Sequence, residues 1–233
     1  MKINSQYIAL KDYIPMGKPK LSHFELKEKE ISLDKINDVL IQNKWISVDP
    51  YMRARMTEKK NYKLPFILGE PMEGGAIGKV IESNCINFKK GDLVKSDFGW
   101  RNFFVTNYNN LSKINPINVE YQTYLGPLGF TGHTAYTGLF KIGELKKNQT
   151  VLVSSAGGSV GSTVCQIAKI MGCRVIGTAG GIEKCQWLTQ EAGFDAAIDY
   201  TTEDLNAALD EYCPNGINIV LLGIRTGSTT RHY

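Results

Sequence analysis
The sequence predicts a two-domain protein: a β-rich first part, residues 1–124, and an α/β second part, residues 125–233, built on a parallel sheet. Three observations predict it. Up to about residue 124, short apolar segments are separated by glycine, proline and charged residues, at the spacing of a small barrel or sandwich. From residue 151 onward, apolar strands alternate with helices through short links, the pattern of right-handed βαβ crossovers. The first strand of that series then runs through glycines straight into a helix, in Val151-Leu-Val-Ser-Ser-Ala-Gly-Gly-Ser-Val-Gly161.

Taken in order, the β-rich part offers runs at 38–42, 44–48, 75–82 and 91–95, each of strand length. Gly74, Gly75 and Gly78 within this pattern predict bulges and tight corners. Between the two parts, residues 125–140 combine Pro127 with closely spaced glycines that permit close backbone approach, and 134–140 read as a helix. His133 in this stretch reads as a hydrogen-bonded structural group ahead of a proton donor. In the α/β part Val151 and Val153 alternate as in a buried strand, and Val160, Val164, Ile167, Ala168 and Met171 repeat at helical spacing. A second strand follows over 173–178, then a helix over 182–192 stopped by Gly193. A third strand over 194–198, a third helix over 202–212 and a fourth strand over 217–222 complete the series.

A strand entering a helix through glycines is what a phosphate needs. Gly158 lets the backbone approach a pyrophosphate, Gly161 lets the helix pack on the strand, and the free N–H groups at the helix start face the anion. The usual spacing is G-x-G-x-x-G; here Ser155 precedes Gly158 and Gly161, and the first glycine is missing. A packing turn is therefore the competing reading. Its place after the first strand of a βαβ series, where a dinucleotide fold puts its phosphates, favours the nucleotide. A β-rich domain joined to such a domain suits an enzyme whose substrate lies between them.

Composition narrows the classes. Apolar residues make up 42% of the 233, enough for real cores, and no apolar run is long enough for a bilayer span. The N-terminus lacks the pattern of a signal peptide. The net charge of +4 is spread out, and Lys27-Glu-Lys-Glu30 alternates in sign, so a mixed solvated surface is expected and no nucleic-acid stripe. Five cysteines, none in C-x-x-C spacing, read as packing thiols in a reducing, cytoplasmic compartment.

Three segments carry a family resemblance: Val48-Asp-Pro-Tyr-Met-Arg53, Gly129-Phe-Thr-Gly-His-Thr-Ala-Tyr136, and Ser154 to Gly161 followed by Gln166-Ile-Ala-Lys169. They resemble signatures of the medium-chain dehydrogenase/reductase superfamily, and within it the zinc-independent, NADPH-dependent alkenal/enone reductases. The resemblance covers roughly residues 5–220 and implies a GroES-like β-rich substrate domain joined to a Rossmann domain. The implied reaction is hydride transfer from NADPH to the β-carbon of an α,β-unsaturated ketone or aldehyde, with a small-molecule substrate and no metal. In place of the zinc-ligand motifs of the superfamily's alcohol dehydrogenases, the chain reads Val48-Asp-Pro50 and Gly69-Glu-Pro71. The resemblance further implies that Gly158, Ser159, Val160 and Gly161 lie under the pyrophosphate. After the second strand, Ala179-Gly180-Gly181 replaces the acidic residue of an NAD site, leaving room at Gly180 for a 2′-phosphate. Lys184 and Tyr200 match the phosphate-contacting positions, with an exposed helix lysine and a loop tyrosine as the alternative. Thr134 would lie near the nicotinamide, with a helix-packing threonine as the alternative; Tyr51 and Met52 would line the substrate cleft, with packing alone as the alternative for Met52; Asp49 and Arg53 would hold their loop. No residue is assigned to catalysis.

The chain also departs from the pattern. A full dinucleotide fold has six strands, and after Leu222 too few residues remain for another crossover. Strands five and six of the nicotinamide half, among them the strand through which family dimers join, and the C-terminal return are thus expected to be lacking. One choice of codons for 227–233, read one base later, resembles the family's next helix, so a frameshift near residue 220 is the working expectation, tested by sequencing the coding DNA. Two other readings stand beside the enone reductase: a non-catalytic fragment keeping part of the adenosine-2′-phosphate site, and a quinone reductase of the same superfamily.

Overall fold
The computed structural model describes residues 2–60 and 63–223, and the chain divides between Leu125 and Gly126 into two units. In the first unit, β1 (Lys2–Leu10) pairs antiparallel along its whole length with β2 (Phe24–Ser32). The alternating charges sit on this hairpin. Glu30 pairs with Lys2 at 2.7 Å, and Glu28 accepts from Asn4 and Gln6, each at 2.6 Å, across the strands. Ser5, Tyr7 and Ala9 point inward at every second position.

A five-stranded antiparallel sheet forms the rest of the β framework. Its order is β6-β3-β4-β5-β7, from β3 (Asp38–Ile46), β4 (Ala76–Ser83), β5 (Leu93–Ser96), β6 (Phe103–Asn107) and β7 (Ser112–Ile114). The short helix α1 (Tyr51–Arg55) lies between β3 and β4 in the chain. Sequence spacing predicts two segments over 38–48, but the structure has one strand with register shifts at Leu40/Ile41 and Asn43/Trp45. Polar Gln42-Asn43-Lys44 breaks the apolar pattern without breaking the strand, because Asn43 Nδ2 donates to Phe98 O and Arg101 O at 2.7 and 2.8 Å. Gly78 faces the second shift; a Cβ there would stand 2.3 Å from Ile41 Cγ2.

The second unit opens with α2 (Phe130–Tyr136), which continues as a wider π-helical turn over Thr137–Ile142 where a single helix over 134–140 is expected. Gly132 is required here, since a Cβ would meet Pro127 O at 1.7 Å. The parallel sheet follows: β8 (Thr150–Val153), β9 (Arg174–Ala179), β10 (Ala196–Asp199) and β11 (Ile219–Leu221), in the order β10-β9-β8-β11. The connecting helices are α3 (Ser159–Ile170), α4 (Ile182–Gln190) and α5 (Leu205–Tyr212). The core joins Val151, Val153 and Val175 of the sheet to Val164, Ala168 and Leu188 of the helices. Burial of each valine or leucine there contributes about 1.5–3 kcal/mol.

Two boundaries move for local reasons. The third strand begins at Ala196 rather than 194, because Asp195 is drawn aside: Oδ2 accepts Val175 N–H at 2.7 Å and Oδ1 pairs with Lys169 at 2.6 Å. The third helix begins at Leu205 rather than 202, because Asp204 caps it by accepting Ala207 N–H at 2.9 Å. All five cysteines are buried, and burial pushes the Cys165 thiol up to about 12. Among the described residues no helix is long and apolar enough to cross a membrane. The tail at 224–233, on which the frameshift reading rests, lies outside the described residues.

Candidate functional site
The sheet order reverses between β8 and β11, and open α/β sheets bind ligands at the carboxyl ends of the strands beside such a point. Residues 154–158 leave β8 at this place and enter α3. Ser154 N–H donates to Leu221 O at 3.0 Å and Ala156 N–H to Thr178 O at 3.1 Å, which fixes the loop to both neighbouring strands. Ser155 has φ +50, the left-handed conformation glycine adopts without cost. The missing glycine of the sequence pattern is thus replaced in conformation.

The glycines of the loop divide by role. A Cβ on Gly161 would lie 2.8 Å from both Ala156 Cα and O, so Gly161 lets the helix start close to the loop. A Cβ on Gly157 would meet nothing within 4 Å among the described residues. Gly158 is the N-cap of α3, and no side chain caps the helix. The first N–H groups of a helix, here those of Ser159, Val160 and Gly161, have no partner within it, and the positive end of the dipole lies with them.

A second feature lies at the end of β9. A Cβ on Gly180 would stand 2.7 Å from Tyr200 Oη and 3.0 Å from its Cζ, so the phenol lies directly over the glycine. Gly181, with φ +98, is the N-cap of α4, and Lys184 is exposed in that helix's first turn. The structure therefore brings Gly180, Lys184 and Tyr200 to one corner of the sheet. Thr134, exposed on α2, donates from Oγ1 to Phe130 O at 2.8 Å, and α2 packs on α3. His133 is exposed beside it.

In the first unit Tyr51 is half-buried, with Lys63 Nζ 5.1 Å from its ring centre. For Met52 the structure favours the packing alternative. It is 2% exposed in a core with Leu10, Met56 and Phe66, and its Cε occupies the space beside Gly74, where a Cβ would come within 2.4 Å. Met52 packs the core and offers no wall to a substrate. Arg53 donates from Nε and Nη2 to Gly17 O at 3.1 and 3.0 Å, holding the loop as expected.

Sequence reasoning missed three residues of the second unit. Gly223 N–H donates to Ser154 Oγ at 2.8 Å, and a Cβ on Gly223 would meet Ser155 Cβ at 2.8 Å, so the chain leaving β11 crosses directly over the loop. Gly177, inside β9, leaves room for Ala156 and Phe194. Asp199 is buried at the end of β10 and accepts from Gly181 N–H at 2.9 Å. A glycine directly after a strand, or within one, was the available signal for the first two.

Comparison with known proteins places this architecture. Residues 6–114 match a family model described as the N-terminal domain of oxidoreductase, and residues 159–231 one described as zinc-binding dehydrogenase. The chain is 40% identical over 207 residues to an NADPH-dependent curcumin reductase of Escherichia coli, covering 88% of this chain and 59% of that protein. It is 42% identical over 224 residues to a 2-alkenal reductase (NADP(+)-dependent) of Nicotiana tabacum, covering 94% and 65%. The chain belongs to the zinc-independent medium-chain dehydrogenase/reductase family. A solved member of this family, CurA from Vibrio vulnificus in complex with NADPH, superposes with a TM-score of 0.83 at 36% identity, over 92% of this chain and 64% of that one. The chain thus spans about three fifths of the length of the curated relatives it matches. Among the described residues no group of three or more His, Cys, Asp or Glu is placed to hold a metal ion.

Proposed function
We propose that the chain binds NADP(H) and serves reduction of the C=C bond of α,β-unsaturated ketones and aldehydes. The observation that carries this reading is the pairing of two features on one sheet edge: the uncapped start of α3 over an open glycine loop, and the corner of Gly180, Lys184 and Tyr200. The residues fit the group. The loop offers N–H groups and free space to a pyrophosphate, and Gly180 carries no side chain between the ribose and Tyr200. Lys184 supplies counter-charge to a 2′-phosphate and Tyr200 Oη donates to it, while Thr134 serves the nicotinamide end. When bound, the nicotinamide supplies a hydride to the β-carbon of the conjugated system. The protein's part is to hold, orient and exclude water.

The second reading is cofactor binding without turnover. It is favoured by the sheet itself, which among the described residues has the three strands of the adenosine side and only the first of the nicotinamide side. Fluorescence of Trp187, partly exposed on α4, reports binding when NADPH is titrated. Quenching together with NADPH consumption on adding 2-nonenal supports the first reading. Quenching with no consumption supports the second, consumption with a quinone alone points to quinone reduction, and no quenching sinks the cofactor assignment.

A further inference from the structure
The turn that carries Gly180 and Gly181 is tied down by a residue the cofactor reading does not use. Asp199 closes β10, paired in register with Ala179 of β9, and is 3% exposed. Its Oδ1 accepts three hydrogen bonds: from Gly181 N–H at 2.9 Å, Thr201 N–H at 3.0 Å and Thr201 Oγ1 at 2.6 Å. Its main chain is occupied as well. Asp199 O accepts from Thr202 and Glu203 N–H, and Asp199 N–H donates to Glu203 Oε1 at 2.7 Å. One carboxylate thus bridges the β9–α4 turn and the β10–α5 turn, and Tyr200 follows it directly in the chain.

Two consequences follow. The first concerns position. Gly180 and Gly181 are adjacent glycines, the second at φ +98, a pair with the widest backbone freedom in the chain's vocabulary. The bond from Gly181 N–H to Asp199 and the bond from Tyr200 N–H to Ala179 O, at 3.2 Å, restrain that freedom, together with the bonds Gly181 O accepts from Lys184 and Cys185 N–H at 3.1 and 3.3 Å. They set Tyr200 Oη at the distance from Gly180 described above. The second concerns which groups remain for an anion. Gly181 N–H, the first at the start of α4, is already taken by a carboxylate. That N–H group is therefore not offered to a 2′-phosphate at this corner, which on the cofactor reading meets the side chains of Lys184 and Tyr200.

We infer that Asp199 is a positioning residue for 2′-phosphate selectivity, acting through Gly181 and Tyr200 without touching the cofactor. The inference rests on the cofactor reading above. Hydrogen bonds from Thr201 and then Gly181 hold the carboxyl at about 2, so it accepts these bonds as an anion at all working pH values. Its negative charge is compensated by the donors converging on it, and it is turned away from solvent.

The test compares the full chain with Asp199→Ala, Asp199→Asn and Thr201→Val by calorimetric titration with NADPH, NADH, 2′,5′-ADP and 5′-AMP. Loss of the bridging bonds in Asp199→Ala is expected to weaken NADPH and 2′,5′-ADP by about tenfold and NADH and 5′-AMP by no more than about twofold. Asp199→Asn keeps an acceptor oxygen and is expected to restore most of the selectivity. Thr201→Val, which removes one donor, gives a smaller loss of the same sense and stands in if Asp199→Ala does not fold. Equal weakening of phosphorylated and unphosphorylated ligands, tighter NADPH binding by the alanine variant, or Asp199→Asn behaving as Asp199→Ala overturns the inference while leaving the cofactor assignment in place. If the unmodified chain binds neither NADPH nor 2′,5′-ADP, both fall together.

Discussion

Gly180→Ala isolates the corner of the site with the least disturbance to the fold. The new methyl would stand 2.7 Å from Tyr200 Oη, 3.0 Å from Cζ and 3.4 Å from Cε2, with no backbone among these neighbours. Ordinary contact begins at 3.4 Å, so the hydroxyl must retreat by about 0.7 Å. A ring at the end of two torsions can make that move, and the stability cost is expected to stay below about 1 kcal/mol. Function does not share this tolerance. A hydrogen bond of normal length between Tyr200 and a phosphate oxygen would be stretched past 3.4 Å, beyond useful geometry. A hydrogen bond to a charged group contributes about 1.5–3 kcal/mol, so NADPH should bind about tenfold or more weakly. NADH, with no 2′-phosphate, should be affected far less. The assay is a pair of fluorescence titrations, NADPH and NADH, with urea unfolding of the same variant as the control for stability. Unchanged affinity for both ligands, or equal loss for both with an intact fold, would refute the placement of the phosphate beside Tyr200.

Other changes have different signatures. Gly161→Ala drives a methyl against the backbone of Ala156 and Ser155, which cannot rotate away, so urea unfolding should show a loss of about 1–3 kcal/mol and the two ligands should weaken alike. Lys184→Ala should weaken NADPH selectively, and the difference from the unmodified chain should shrink as salt rises in the same titration. The folded-state value of Asp199, about 2, lies below its ordinary 3.8, with the Thr201 side chain as first cause and Gly181 next. Its contribution to stability is therefore full above about pH 4 and is lost as pH falls toward 2, so Asp199→Asn should flatten the acid limb of a stability–pH curve between those values. Cys165, wholly buried with its thiol raised to about 12 first of all by burial, should resist alkylation in the folded chain at pH 8 and react once urea unfolds it, read by mass spectrometry.

Much of the fold is legible in the order of the residues. Alternation of valine-rich strands with helices announced a parallel sheet, because burial on both faces demands continuous apolar strands and a crossover helix demands 3.6-residue spacing. Gly158 and Gly161 announced the tight turn from strand into helix, and Gly180-Gly181 announced the turn beside it, because glycines at such positions permit close backbone approach. Met52 stayed open between cleft and core because one methionine in a motif looks the same in either place, and its burial is a tertiary fact. The single strand over Asp38–Ile46 was read as two, since the bonds that carry Asn43 through the break come from Phe98 and Arg101, more than fifty residues away.

Local chemistry is written in neighbouring residues, and the sequence by itself determined whatever depends on spacing: strand, turn, helix and the absence of a side chain at Gly180. Tertiary structure alone decided which distant groups meet. It placed Asp199 against Gly181, Tyr200 over Gly180 and Gly223 over Ser155, contacts that exist because β8, β9, β10 and β11 end side by side. Parallel pairing is the physical reason, for it gathers the carboxyl ends of strands far apart in the chain onto one edge, where their turns touch.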